Sequence, residues 1–325
     1  MSHAMWCAAL CLATGVASAQ EPPLLSIEFG ADELVRIDAG TGTVTPVGPL
    51  GVDVAIGLTM TRFDGQLYLM DAGFGPLPPS LYTLDEATGA ASLVAALSLP
   101  GSTIDFAEAL TADAAGLLAV IDDEPGNSSR SKQMCRLDAS TGVLVPLGRL
   151  SVGLPGDDGD LDAVVFDPST GDLIGVDGAP LESLNYYRRA DTQSGAVTEL
   201  DTFTTADIDG LVNGLHLEGS RLFAVTSGVG ASLGSIAEVE ITPTGVTLVG
   251  VTPLVASGGS YNGLARASQA DCPADVNGDG LVNPADFNAW VIAFNTQAPE
   301  CDQNGDGLCT PADFNVWVIN FNAGC

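Results

Sequence analysis

One pattern comes round five times between residues 24 and 267, at a spacing of about 47–55 residues. Each unit has a short inner strand carrying a small residue: Ile56-Gly57-Leu58, Glu108-Ala109-Leu110, Asp162-Ala163-Val164, Asn213-Gly214-Leu215 and Asn262-Gly263-Leu264. An apolar strand follows, as in Gln66 to Asp71, Leu117 to Asp122, Asp172 to Asp177 and Arg221 to Val225. A third strand runs into an acidic turn: Leu34 to Asp38 before Gly42, Leu81 to Asp85 before Gly89, and Arg136 to Asp138 before Gly142. Looser forms are Arg188 to Asp191 before Gly195 and Glu238 to Ile241 before Gly245. The Asp-x-x-Thr-Gly type makes a tight hairpin, because Asp bonds its own backbone and Gly accepts positive φ. A fourth apolar strand comes next, as in Val143 to Leu147.

Four strands per unit at this period predict a β-propeller, here of five blades over residues 20–267. The last inner strand, Asn262 to Ala267, lacks a following partner, and Leu24 to Phe29 at the start of the domain fits the vacancy. Pairing the two would close the ring and remove a sheet edge. A β-sandwich or a stacked solenoid shows similar alternation. The Gly-His and Trp-Asp marks of WD40 repeats are absent, so no propeller family is assigned.

The expected fold class is therefore mainly β, with a small helical module after it. Residues 1–19 read as a secretory signal: Trp6 to Val16 is a short apolar run, and Ala17-Ser18-Ala19 is an A-x-A cleavage site. Its first residues hold His3 but no Lys or Arg, and a buried N-terminal strand is the alternative. Secretion to an extracellular, periplasmic or cell-surface location follows from the signal reading. No later stretch is long and apolar enough to span a bilayer. The formal charge is −31, and Lys132 is the only lysine. Such a surface repels nucleic acid and anionic lipid.

The propeller carries little recognisable chemistry. His216 is the only His after the signal, mid-strand in Gly214-Leu215-His216-Leu217, where a structural role is expected. No nucleophile elbow, zinc cluster or phosphate-binding Gly loop is present. Carboxylates abound, which keeps open an acid-pair glycoside hydrolase or polysaccharide lyase. Glu108, Asp162, Asn213 and Asn262 occupy one aligned position. They would line a central tunnel and hold a cation or polar ligand, carbohydrate or protein; alternatively each caps its own turn. Cys135 reads as a buried free thiol.

After a linker at 268–271, residues 272–325 say one thing twice. Asp275 to Asn295 returns as Asp302 to Asn322, identical at 16 of 21 positions. Each copy sets oxygens at alternate positions around a Gly, as a calcium loop requires. The ligands would be Asp275, Asn277, Asp279, the Leu281 carbonyl, Asn283 and Asp286. In the second copy they would be Asp302, Asn304, Asp306, the Leu308 carbonyl, Thr310 and Asp313. Asn283 and Thr310 are N-caps, Pro284 and Pro311 suit the first helical position, and the closing Asp sits at the favourable end of the helix dipole. Apolar stripes follow: Phe287, Trp290, Val291, Phe294, and Phe314, Trp317, Val318, Phe321.

An EF-hand would have a helix before its loop, for which Asp271-Cys272-Pro273-Ala274 leaves no room, and would end its loop on Glu rather than Asp. The tail resembles a dockerin, and more narrowly the tail modules of planctomycete secreted proteins that end in Gly-Cys, as Gly324-Cys325 does. The resemblance implies two calcium ions and attachment of the propeller to a cohesin-like or cell-envelope protein, in company that often breaks down polysaccharide. Cellulosomal dockerins carry hydroxyl residues at loop positions ten and eleven, where this chain has Pro284-Ala285 and Pro311-Ala312. Where basic residues often follow, it has Val291-Ile292 and Val318-Ile319. Four cysteines cluster in the tail and allow three pairings; Cys272 with Cys325 and Cys301 with Cys309 are favoured.

Overall fold

Period-two alternation in these strands has a cause on both faces. A blade standing between two neighbours buries one set of side chains on each side. We describe a computed structural model, in which residues 21–325 are described except 55–57, 74–76, 124–130, 153–160, 162, 180–183, 229–232, 243–244, 256–258, 269–272, 278–281, 283, 305–306 and 324–325. The chain divides into two compact units, Pro22–Ser268 and one that takes in Gln269–Cys325. The signal expectation falls outside the described residues.

Pro22–Ser268 is a five-bladed β-propeller. Blade 1 holds β1 (Leu24–Glu28), β2 (Glu33–Ile37) and β3 (Val44–Pro49). Blade 2 is β4 (Thr59–Phe63), β5 (Gln66–Asp71), β6 (Ser80–Leu84) and β7 (Ala91–Ala96). Blade 3 is β8 (Phe106–Asp113), β9 (Gly116–Asp122), β10 (Ser131–Leu137) and β11 (Leu144–Val152). Blade 4 is β12 (Ala163–Asp167), β13 (Asp172–Ala179), β14 (Leu184–Ala190) and β15 (Ala196–Thr204). After the one-turn helix α1 (Thr205–Ile208), blade 5 is β16 (Leu211–Glu218), β17 (Arg221–Ser227), β18 (Ser235–Thr242) and β19 (Gly245–Pro253). The last strand, β20 (Tyr261–Arg266), returns to blade 1 and pairs antiparallel with β1 as its innermost strand. The closure expected from the two ends of the domain is thus present. It is tied by Ser26 Oγ, which donates to the carbonyls of Asn262 and Gly263, and by Arg266 Nη1, which donates to the Pro22 carbonyl.

The innermost strands β20, β4, β8, β12 and β16 pack side by side in a ring. Five apolar clusters fill the five seams between blades. Leu67 and Leu69 of β5 face blade 1 with Leu25 and Ile27, whereas Met70 faces blade 3 with Leu110 and Ile121. Each such buried side chain contributes roughly 1.5–3 kcal/mol against the entropy of ordering it.

The Asp-x-x-Thr-Gly turns do more than reverse the chain. Asp38, Asp85, Asp138 and Asp191 each accept backbone N–H bonds from the residues two and three ahead. The Gly that ends the turn presses on the preceding blade. A Cβ on Gly195 would lie 1.9 Å from the Arg149 carbonyl oxygen, and one on Gly42 would lie 2.0 Å from that of Pro253. Beside these turns short parallel bridges form between blades, as at Ser98 with Val143. At Ser151–Ala196 and Val152–Val197 the bridge merges blades 3 and 4 into one eight-stranded sheet.

The C-terminal unit contains α2 (Pro284–Thr296), a 3₁₀ turn at Pro299–Cys301 and α3 (Pro311–Ala323). Its core is Trp290 and Trp317 with Ala274, flanked by Val291, Phe294, Val318 and Phe321. The Phe287 ring lies 6.1 Å from Phe314 and 5.6 Å from Trp317, and Trp290 lies 5.2 Å from Phe314. A disulfide joins Cys301 to Cys309. Cys272 and Cys325 lie outside the described residues. No helix among the described residues is long and apolar enough to cross a membrane.

Candidate functional site

The closing carboxylates of the two tail loops are both fully buried. Asp313 gathers the loop backbone: its Oδ1 accepts from the N–H of Gln303 and of Asn304, and its Oδ2 from the N–H and the hydroxyl of Thr310. These bonds, that from the Thr310 N–H foremost, hold its carboxyl below the usual range. Thr310 Oγ1 in turn accepts from the Ala312 N–H, so the residue caps α3 in both directions. Asp286 repeats the theme by accepting from the Asn277 N–H at 3.2 Å. At the start of the second loop Asp302 Oδ2 accepts from Gly307 N–H at 2.7 Å, with Gly307 at φ +82°. The described start of each loop is thus tied to the carboxylate in the first turn of the helix that follows it, Asn277 to Asp286 and Asn304 to Asp313. Asp275, Asn277, Asn304 and Leu308 belong to the same described loop segments. Asp279, Leu281, Asn283 and Asp306 lie outside the described residues. Among the described residues no group of three His, Cys, Asp or Glu side chains converges on one point.

The two ends of the propeller differ in kind. At one end the strands are joined by tight turns, such as 64–65, 114–115 and 219–220. Here each blade carries an arginine in an ion pair: Arg62 with Glu86, Arg136 with Asp113, Arg189 with Asp167, Arg221 with Glu238, and Arg266 with Glu218. His216 belongs to this end. Its Nε2 lies 3.2 Å from Glu218, as its structural reading anticipated. Burial would raise the Glu218 carboxyl, but bonds from His216 and Arg266 prevail and hold it at about 2.

At the other end the connections are long: residues 72–79, 123–130, 153–162, 228–234 and 254–260. Loops of that kind on a rigid scaffold are where binding residues collect. The second strands carry buried carboxylates at or near this end: Glu28, Asp71 and Asp122 as last residues, and Asp177 two residues before the end of β13. Lys132 lies 3% exposed among them. Its Nζ is 2.7 Å from Glu108 Oε1 and 3.5 Å from Asp122 Oδ2. Arg188, 2% exposed, sits 3.0 Å from Asp177.

Of the four aligned inner-strand residues, Glu108 stands at a β-bulge in β8 and reaches Lys132. Asn213 stands at a bulge in β16 and donates to Ser227 Oγ at 2.5 Å. Bulges re-aim side chains in this way. Asn262 offers its carbonyl to Ser26, and Asp162 lies outside the described residues. Gly214 and Gly263 press together at the ring, where a Cβ on Gly214 would lie 2.5 Å from the Gly263 carbonyl carbon. Cys135 is a buried free thiol, pushed up to about 12 by burial and the nearby Asp123.

No protein-family model matches the sequence, and no curated protein matches it. Among solved structures, the chain is similar to an exo-β-1,3-galactanase from Phanerochaete chrysosporium, at 11% identity and a TM-score of 0.45, over 64% of this chain and 51% of that one. It is similar to a periplasmic gluconolactonase, PpgL, from Pseudomonas aeruginosa, at 15% identity and a TM-score of 0.41, over 71% and 83%. TolB from Acinetobacter baumannii matches at 16% identity and a TM-score of 0.41, over 76% and 56%. The chain spans about half the length of the galactanase. These likenesses carry no functional conclusion, and the blade assignment stands on strand pairing alone.

The buried ion-pair cluster was missed at the sequence level, although two signals for it were visible. Three second strands carry an apolar-Asp pair at or near their ends, Met70-Asp71, Ile121-Asp122 and Val176-Asp177. A lone lysine in a chain of charge −31 also has an obvious use as an internal counter-charge.

Proposed function

We propose that this is a secreted, calcium-binding protein whose tail attaches a recognition propeller to an extracellular or cell-surface assembly. The observation that carries the reading is the duplicated loop built around a buried closing carboxylate, Asp286 in one copy and Asp313 in the other. Backbone N–H groups of Gln303, Asn304 and Thr310 already reach Asp313, and that of Asn277 reaches Asp286, which supports a closing role for both carboxylates around a calcium ion. The dockerin-like layout supports attachment to a cohesin-like or cell-envelope protein. The exposed Ile292 and Ile319, at matching places in the two helices, replace the basic residues of cellulosomal relatives and point to a more apolar partner surface.

The propeller would then do the recognising at its long-connection end. A second reading, a carbohydrate-active hydrolase or lyase, is favoured by the carboxylates buried there, Asp71, Asp122 and Glu108. Calorimetry on the full chain tests the first reading. Two calcium ions should bind per chain, and Asp286→Ala and Asp313→Ala should each abolish one. Retention on envelope fractions of the parent cell should be lost on chelation. Retention that persists in chelator, or in the doubly substituted chain, would contradict it.

A further inference from the structure

Four of the propeller's acidic turns are entered by matching residues that differ in kind at one place. Arg36-Ile37-Asp38, Arg136-Leu137-Asp138 and Arg189-Ala190-Asp191 carry an arginine two residues before the turn Asp, whereas blade 2 has Thr83-Leu84-Asp85. The pairing supports the alignment: each of the four is the second residue past the register shift in its outer strand pair. In blades 3 and 4 the arginine folds back along its own blade to the end of the inner hairpin. Arg136 Nη1 and Nη2 donate to the two carboxylate oxygens of Asp113 at 2.6 and 2.7 Å, and Nη1 donates also to the Gly116 carbonyl. Arg189 Nη1 donates to Asp167 and Asp172, each at 3.3 Å, and to the Thr170 hydroxyl at 2.8 Å. Arg36 takes another course and donates to the Glu86 carbonyl of blade 2.

Blade 2 lacks both members of that pair. Thr83 replaces the arginine, and Phe63 stands where the inner strands of blades 3 and 4 place Asp113 and Asp167. Between the inner turn at Gly65-Gln66 and the outer turn from Asp85 to Ala90 there is instead a cavity of about 390 Å³. That is within the range of clefts that hold small ligands. Thr83, Ser92, Asp85 and Glu86 line it, so its wall offers two hydroxyls and two carboxylates. Asp85 Oδ1 accepts from the N–H groups of Ala87 and Thr88, which fixes the carboxylate at the rim. Glu86 is held by Arg62 and by the Ser268 N–H. A wall of acceptors suits a group that only donates, and a guanidinium matches carboxylates in its planar fork.

We propose that this cleft of blade 2 binds a guanidinium group from outside the chain, in the slot that Arg136 and Arg189 fill from within in blades 3 and 4. Asp85 and Glu86 supply the opposing charge, and the Thr83 and Ser92 hydroxyls accept the N–H groups that remain. The site lies at the tight-turn end of the propeller. It depends neither on the tail nor on recognition at the long-connection end.

Calorimetry of the full chain at neutral pH and low salt tests it, with argininamide and a capped Gly-Arg-Gly peptide as probes. Citrullinamide has the same shape without the charge and serves as comparator. Both arginine probes should bind saturably at one site, and citrullinamide at least about tenfold more weakly. Whichever arginine probe is tighter names the source, a small guanidinium compound or a protein side chain, and either order supports the site. Thr83→Arg installs the residue that blades 3 and 4 already carry; it should keep the fold by circular dichroism and abolish binding. Asp85→Asn keeps an oxygen for the turn, removes the charge, and should cost about fivefold. No saturable binding of either arginine probe would overturn the proposal, as would citrullinamide binding equally well. Full binding by a folded Thr83→Arg chain, or by Asp85→Asn, would overturn it too.

Discussion

The propeller and the tail solve the same problem by different means. Pro22–Ser268 buries strands on both faces, and five apolar seams hold its ring. The tail has one small cluster around Trp290 and Trp317, a disulfide, and two loops wound on Asp286 and Asp313. A unit of that size buries too little apolar surface to stand on packing alone and needs staples. The difference teaches where charge belongs in each. In the propeller buried acids are matched by internal cations such as Lys132 and Arg188. In the tail the buried acids Asp286 and Asp313 are met instead by backbone N–H groups of their own loops.

The largest expected effect that separates the two is Lys132→Met. It removes the ammonium that faces Glu108 and Asp122 in the interior, and loss of one member of a buried ion pair costs about 3–5 kcal/mol. Chemical denaturation followed by far-ultraviolet circular dichroism should show the propeller transition falling by that amount, with tail fluorescence unmoved. Joint replacement of Cys301 and Cys309 by Ser should cost the tail about 2.5 kcal/mol through loop entropy. Limited proteolysis should then cut the tail and spare the propeller.

A smaller effect lies in acid. The folded Glu218 carboxyl is depressed to about 2 from an ordinary 4.5. Its contribution is therefore present above pH 4.5 and is lost as pH falls toward 2. For a group still partly exposed this is about 2 kcal/mol. Glu218→Gln should flatten the propeller's stability over that window in acid titrations and leave neutral-pH behaviour of the tail unchanged.

Much of the fold was legible because its signals are local. Alternating strands, the Asp-x-x-Thr-Gly turns, and the unpaired Tyr261–Arg266 strand with its partner at Leu24–Glu28 all sit within short windows or at the domain's two ends. Why Gly195 and Gly42 must be glycine was only half legible. Positive φ is a local need, but the neighbouring blade's carbonyl is a contact dozens of residues away or more. The same holds for the candidate sites. Lys132 meets Glu108 across an intervening strand, and Ser227 meets Ser260 across a seam. Bulges at Glu108 and Asn213 turn those side chains in ways that no periodicity in the sequence announces.

The account turns on the acids of the tail being built for calcium. The chain has three tryptophans, and a chain produced from Glu21 onward keeps only Trp290 and Trp317, both in the tail core. Their fluorescence in that chain, titrated with calcium and then with chelator, reads the tail alone. A saturable change at two ions per chain, reversed by chelator and absent in the Asp286→Ala, Asp313→Ala double variant, is the expected result. A signal indifferent to calcium would contradict the account.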